Sequence, residues 1–398
     1  MRSTGPGPAP EDLSTAAVDD WAAHDGVPML ATVARALCVL EHLDGLEAFR
    51  LPYPSVVQLA LDRSAVAFLR NDARPPASLA ELVQRCAQIP LEDWPLRLPT
   101  DAAGPDDLLI DPVSWRPTQL CHEWGEWEAH AQDPAVSHRD RLVIHGALER
   151  CQAYGEESAY AEFRRLLVQR PVLTTAEHFA LHRDFALEPV WDLIDLIYPE
   201  VPRAMSRNGQ YAVCGRCGTL LTPVSGGEWW CERDRCRRLG DPPVGRWIDA
   251  EQAGVVHQLE QPLRRHVTGP GLAEVDLERG LTALGLTVTM WPGFDAYDLL
   301  VVFSDGHRWA IDVKDWAHPG FLGRAARPVP PRPLYDEAFW VVPAYRVRER
   351  PDYRQTFERS RSASARGLLL VTDEELVNAA RKRLRDIGTT TREETDHA

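Results

Sequence analysis

DLLVVFSDGHRWAIDVKDW, residues 298–316, is the stretch that decides how this chain folds. Two runs rich in β-branched and aromatic residues, YDLLVVF (297–303) and RWAIDVKDW (308–316), flank Ser304, Asp305 and Gly306, the composition of a β-hairpin. If those three residues form the loop, with glycine in the left-handed conformation, Phe303 pairs with His307 and Asp298 falls opposite Asp312. A two-residue loop would put the two carboxylates on opposite faces. Lys314, two residues beyond Asp312, shares that residue's face. The lysine is itself notable, because the chain holds 44 Lys+Arg and only Lys314 and Lys382 are lysines.

Two acids beside one ammonium suit a divalent cation and a phosphodiester. Mg²⁺ takes oxygen ligands and is held by one or two carboxylates plus substrate phosphate. Asp298 and Asp312 are the expected ligands of Mg²⁺ (or Mn²⁺), with the main-chain carbonyl of Val313 as a further one. Lys314 is expected to orient water or stabilise the phosphate, a task for a compact ammonium rather than a planar guanidinium. The competing reading is an exposed ion pair. Against it, Trp309, Ala310, Ile311 and Val313 are apolar, which marks a buried strand where unpaired charge is costly.

Working outward, GLAEVDLERGLTALG (271–285) is an amphipathic helix ending at Gly285, and LTVTMWPGF supplies a first strand. EAFWVVPAYRV (337–347) reads as a further strand and DYRQTFERSRSASAR as an Arg-bearing helix. GLLLVTDEELVNAARKRL then reads as strand, capped turn and closing helix. Glu274, Asp298 and the pair Asp312 and Lys314 on consecutive elements resemble the PD-(D/E)xK restriction-endonuclease-like fold. The resemblance implies an α/β domain with a mixed central sheet over about 265–388, in which these acids bind Mg²⁺ and the lysine is catalytic. Glu274 fits the helix position better than Glu278. Asp312 stands where many members carry glutamate, and Tyr297 replaces the proline that often precedes the first aspartate.

YAVCGRCGTLLTPVSGGEWWCERDRC holds Cys214-x2-Cys217 and, thirteen residues on, Cys231-x4-Cys236. A CxxCG turn aims both thiolates at one ion, and Gly218 supplies the positive φ the turn needs. With TLLTPV and EWW as short strands, residues 208–245 read as a zinc ribbon whose four ligands leave no position for substrate. A redox CxxC is the alternative, but the βαβ context it requires is missing. Cys38, Cys86, Cys121 and Cys151 are scattered through helical patterns and read as ordinary thiols.

Residues 19–200 are mostly α by their apolar spacing, between termini (1–18 and 389–398) too polar or too rich in Pro and Gly to bury a core and read as disordered. Within this region YAEFRRLLVQRPVLTTAEHFALHRDF (160–186) reads as helix, turn, helix. Pro171 breaks the first helix, and Thr174 with Glu177 forms a capping box for the second. Ordinary helix packing is favoured over a DNA-reading helix-turn-helix. The net charge of −15 argues against a polyanionic partner until its distribution is seen. Residues 1–200 hold 16 Arg against 32 acids (net −16), and residues 201–398 hold 28 Lys+Arg against 27 acids (net +1). In the Arg-rich stretch 316–366, Arg324, Arg327 and Arg354, with Arg332, are the expected phosphate contacts. No apolar run is long enough to span a membrane and no signal peptide is recognisable, so a cytoplasmic protein is expected.

The order of helical region, the Y-x-x-F-R-x-L-L-x-x-x-P-V-L-T motif (160–174), cysteine ribbon and nuclease is similar to restriction-endonuclease-like proteins encoded beside prokaryotic PIWI-type Argonaute relatives and a DinG-like helicase. That resemblance implies defence against invading DNA, with the nuclease cutting what its partners recognise, and it suggests partner docking for the acidic half. A homodimer would suit double-strand cleavage. Two other readings compete with a DNA endonuclease. One is a catalytically silent nucleic-acid-binding adaptor, and the other is a nuclease acting on RNA or RNA–DNA hybrids.

Overall fold

The loop at Ser304–Gly306 closes as its turn chemistry dictates. Phe303 N–H donates to the carbonyl of His307 at 2.9 Å, Gly306 N–H donates back to the carbonyl of Phe303 at 2.9 Å, and Gly306 has φ +84°. The computed structural model that shows this describes residues 24, 26–43, 47–48, 50–99, 101–132 and 139–396. The N-terminal segment 1–18 lies outside the described residues. The chain divides into two units: residues up to 136 with 316–328 and 345–367, and residues 137–315 with 329–344 and 368 onward.

The first unit is helical. Helices α1 (Gly26–Glu41), α2 (Ser55–Arg70), α3 (Leu79–Gln88) and α4 (Gln119–Gln132) bury a core that includes Leu30, Phe68, Trp94 and Trp124. Helix α3 starts where Ser78 accepts the Glu81 N–H at 3.2 Å, satisfying one of the amides a helix start leaves open. Two short helices, Pro319–Ala325 and Tyr353–Ser360, belong to this unit although the sequence places them inside the nuclease segment. Phe321 explains the assignment of the first, since its ring packs edge-on against Trp124 at 4.8 Å. Each unit is thus built from segments that are not contiguous in the chain. Apolar burial joins segments far apart in the chain, and composition along the chain does not reveal that.

The second unit is built on a five-stranded sheet whose strands lie side by side in the order Leu369–Thr372, Glu337–Val342, Arg308–Val313, Leu299–Val302, Thr287–Met290. Before it come α5 (Arg139–Tyr154), α6 (Glu157–Gln169), β1 (Val172–Thr174), α7 (Thr175–Leu181) and α8 (Trp191–Ile197). The segment read as helix, turn, helix is thus α6, a short strand and α7, with β1 paired antiparallel to β6 (Val256–Gln258). The Thr174 and Glu177 capping box is present. The cysteine segment folds as two ribbons: β2 (Gln210–Cys214) with β5 (Val244–Asp249), and β3 (Leu221–Pro223) with β4 (Trp229–Cys231), followed by the short helix α9 (Asp234–Arg238). Glycine is required at 245, because a Cβ there would lie 2.6 Å from the Gly215 Cα.

Helix α10 (Gly269–Thr282) then leads to β7 (Thr287–Met290), β8 (Leu299–Val302), β9 (Arg308–Val313), β10 (Glu337–Val342), β11 (Leu369–Thr372) and α11 (Asp373–Asp396). The pairs β7–β8 and β8–β9 are antiparallel, and β9–β10 and β10–β11 are parallel. The strand expected over 337–347 stops at Val342, before Pro343, where a helical turn replaces it. Residues 389–396, expected to form a loose polar tail, extend α11. The sheet's apolar residues Leu299, Val301, Trp309 and Ile311 join Tyr160, Phe163 and Leu277 in one core.

Candidate functional site

The hairpin register carries Asp298 to the position opposite Asp312. Leu299 pairs with Ile311 and Leu300 with Ala310, and the next step of the same register is Asp298 against Asp312. Asp298 is 7% exposed and its Oδ2 accepts the Val313 N–H at 2.5 Å, which fixes the carboxylate across the hairpin. Lys314 Nζ donates to Asp312 Oδ1 at 2.5 Å and lies 5.4 Å from the centroid of Trp340, the β10 partner of Asp312. The side chains of Asp312 and Lys314 keep 16% and 25% exposure, so this edge of the cluster reaches solvent.

Helix α10 adds Glu274, 4% exposed, whose Oε2 accepts the Trp291 indole N–H at 2.6 Å and lies 3.8 Å from the Arg164 guanidinium. Glu278, the alternative at that helix position, is held by Arg165 through two hydrogen bonds of 3.0 and 2.9 Å, so Glu274 is the acid that joins the cluster. Burial pushes the Asp298 carboxyl well above the usual carboxylate range, with Glu274 and Asp312 adding to it. Burial also raises Glu274, opposed by Arg164. Burial works against the charge of Lys314, yet Asp312, Asp298 and Glu274 together hold its pKa above the ordinary lysine value.

Sequence reasoning missed four residues here. On α6, Glu157, Tyr160 and Arg164 share one face and grip the loop WPGFD (291–295). Glu157 accepts the Gly293 N–H at 2.5 Å, Tyr160 OH donates to Asp295 at 3.0 Å, and Arg164 Nε lies 3.5 Å from Asp295 Oδ2. Trp291, Phe294 and Asp295 all have positive φ, a costly backbone for residues with a Cβ, which persists because these contacts hold it. The signal available in the sequence was Tyr160 and Arg164 in one motif and the Trp-Pro-Gly punctuation, but nothing local joined them.

Of the arginines expected to meet phosphate, Arg324 is committed to Asp101 at 3.0 Å with 16% of its side chain exposed, and this ion pair removes it from a free basic surface. Arg327 and Arg354 also lie in the first unit, exposed and half-buried respectively. Arg332 is exposed in the second unit. The four therefore do not form one patch on one unit.

The cysteines of the ribbon converge. The sulfurs of Cys214, Cys217, Cys231 and Cys236 are buried and all lie within 4.8 Å of one another, and none is in a disulfide. Gly218 has φ +74° and its N–H donates to the carbonyl of Cys214 at 2.9 Å, closing the first knuckle. Within the wider second spacing, Glu232 and Arg233 reach out of the ribbon. Glu232 takes two hydrogen bonds from Arg264, at 2.5 and 2.7 Å. Arg233 donates to the Gly269 carbonyl at 2.7 Å, at the head of the helix carrying Glu274, and to Asp315 at 3.2 Å, next to Lys314. The donor set is compatible with a zinc ribbon.

Among the described residues no helix is long and apolar enough to cross a membrane. Neither the curated proteins nor the solved structures contain a match to the chain. Two family descriptions do match: the pPIWI_RE three-gene island domain Y over residues 29–174, and the REase associating with pPIWI_RE over residues 271–387. The second spans α10, the hairpin and the sheet, and so contains all four clustered residues. The chain thus carries a pPIWI_RE island domain Y followed by a domain of the family described as REase associating with pPIWI_RE.

Proposed function

We propose that the protein is a Mg²⁺- or Mn²⁺-dependent nuclease with a restriction-endonuclease-like catalytic domain, cutting DNA in a defence system that includes a PIWI-type partner. The observation that carries the reading is the convergence of Asp298, Asp312, Lys314 and Glu274 through the hairpin register and α10. The charges of the cluster fit a divalent ion. The carboxyl groups of Glu274, Asp295, Asp298 and Asp312 outnumber the cations Arg164 and Lys314, and a divalent ion would favour the charged form of the buried Asp298 and Glu274.

Asp298 and Asp312 would hold the ion, with the Val313 carbonyl beside them. When bound, Mg²⁺ supplies positive charge against the phosphate and makes water a better nucleophile. Asp298 is oriented for this by the Val313 N–H, and Glu274 is held behind it by Trp291 and Arg164. Lys314, protonated and half-buried, contributes a compact positive charge to the phosphate as negative charge develops on it, and its contact with Asp312 sets its direction. The four cysteines would hold a structural Zn²⁺, which a closed set of four thiolate donors favours over a catalytic one.

Plasmid, linear and single-stranded DNA, RNA and RNA–DNA hybrid are to be incubated with the protein in Mg²⁺ or Mn²⁺, with and without its island partners. Products from DNA that vanish with Asp312→Asn support the reading. Binding without products under every condition makes the protein an adaptor instead. Products confined to RNA or hybrid reassign the substrate.

A further inference from the structure

A second group of metal-ligating atoms lies apart from both the acid cluster and the cysteines. His178 sits in α7 and His182 follows its last turn, four residues on, so the two imidazoles project from one side of the helix. Asp195 on α8 faces them. His182 Nε2 is 2.9 Å and His178 Nε2 3.6 Å from Asp195 Oδ1, and the three donor atoms all lie within 4.8 Å of one another. Zinc bonds to nitrogen and carboxylate oxygen of about 2.0–2.2 Å put tetrahedral donors roughly 3.3 Å apart, and the two histidine–aspartate spacings of 2.9 and 3.6 Å bracket that value.

A hydrogen-bonded trio explains this arrangement less well. His178 Nε2 is buried with no hydrogen-bond partner, a costly condition for an imidazole nitrogen. The Asp195 carboxylate is already engaged by His182. An ion between the three would satisfy His178 and take the place of the proton that His182 Nε2 shares with Asp195. The ring of His178 is held by His257, which stacks on it at 4.7 Å and 18° and is itself anchored through Nδ1 to the Tyr198 carbonyl at 3.0 Å. Asp195 is 57% exposed, which leaves an entry route and a fourth position open to solvent.

We propose that His178, His182 and Asp195 bind one Zn²⁺-class divalent ion at a site with an open coordination position, independent of the cysteine cluster. Imidazole and carboxylate donors select such an ion over Mg²⁺. The test uses the full-length protein, stripped of metal and titrated with Co²⁺ in excess Mg²⁺, which keeps the acid cluster occupied. Cobalt on cysteines gives an intense thiolate charge-transfer band, whereas the histidine site adds a visible band without one.

The expected result is about one equivalent of Co²⁺ more in the wild type than in His182→Gln or Asp195→Asn, with the thiolate band unchanged. Asp195→Asn replaces an exposed carboxylate with an amide of the same size, and circular dichroism verifies its fold. Equal equivalents and identical spectra in the wild type and both variants would overturn the proposal and leave the trio a hydrogen-bonded cluster.

Discussion

Lys314 shows why one residue type matters at one position. Its ammonium sits 2.5 Å from Asp312 and over the Trp340 ring, in a space shaped by a β-strand neighbour, and a planar guanidinium would present a different donor geometry there. Lys314→Arg is therefore expected to lower the single-turnover cleavage rate by on the order of 10²–10³-fold, the typical effect of losing one placed electrostatic donor. Its thermal melt should stay close to that of the wild type. Rates within threefold of wild type would remove the lysine from the mechanism. A different single residue sets a pH dependence in the first unit. His318 is fully buried, donates through Nε2 to the Ala102 carbonyl at 2.8 Å and accepts the Phe321 N–H at 3.0 Å, so its neutral form is satisfied. Burial, then the charge of Arg350, lowers its pKa from 6.5 to about 3. The unfolded chain binds the proton first, so stability from this group is complete above pH 6.5 and is lost as pH falls toward 3. At about 1.4 kcal/mol for each pH unit in that window, the loss reaches several kcal/mol. Urea midpoints between pH 7 and 4 should fall more steeply for wild type than for His318→Gln. Parallel slopes would contradict the assignment.

Elements explain which parts of this protein could be read in advance. The β8–β9 hairpin was legible because its information is local: Gly306 tolerates φ +84°, a three-residue loop follows, and the register of every side chain is then fixed. The cysteine ribbon was legible for the same reason, each knuckle being set by a few neighbouring residues. Arg164 and Asp295 were not, since they meet across more than a hundred residues of chain and each looks ordinary in its own segment. The short helix carrying Phe321 was hidden likewise, its partner Trp124 lying in another helix far upstream. The second cysteine spacing, two residues wider than the first, has a use in the structure: Arg233 in that gap pairs with Asp315, whose side chain is 2% exposed. Removing one partner of a buried pair costs about 3–5 kcal/mol, and the 21% exposure of Arg233 points to the low end. Arg233→Ala should thus lower unfolding free energy by about 3 kcal/mol and also slow cleavage, because Asp315 adjoins Lys314. Arg233→Ala with the stability of wild type would show that the ribbon does not brace this strand.

At the scale of the whole molecule, charge is unevenly distributed. The chain carries −15 overall, yet residues 201–398, which contain the site, are close to neutral. Association with a polyanion should depend on a few arginines more than on overall charge, and Arg332→Glu is expected to weaken DNA binding and flatten its salt dependence by about one phosphate contact. Filter binding across 50–200 mM salt measures it, and an unchanged slope would remove Arg332 from the interface. The hairpin register places Asp298 opposite Asp312, where the two carboxylates would hold a divalent cation. The most direct measurement is Mn²⁺ binding followed by electron paramagnetic resonance, with Mg²⁺ as competitor, on the wild type, Asp298→Asn and Asp312→Asn. The wild type should bind a Mn²⁺ ion that Mg²⁺ displaces and that both variants lose. Mn²⁺ retained equally by all three proteins would contradict it.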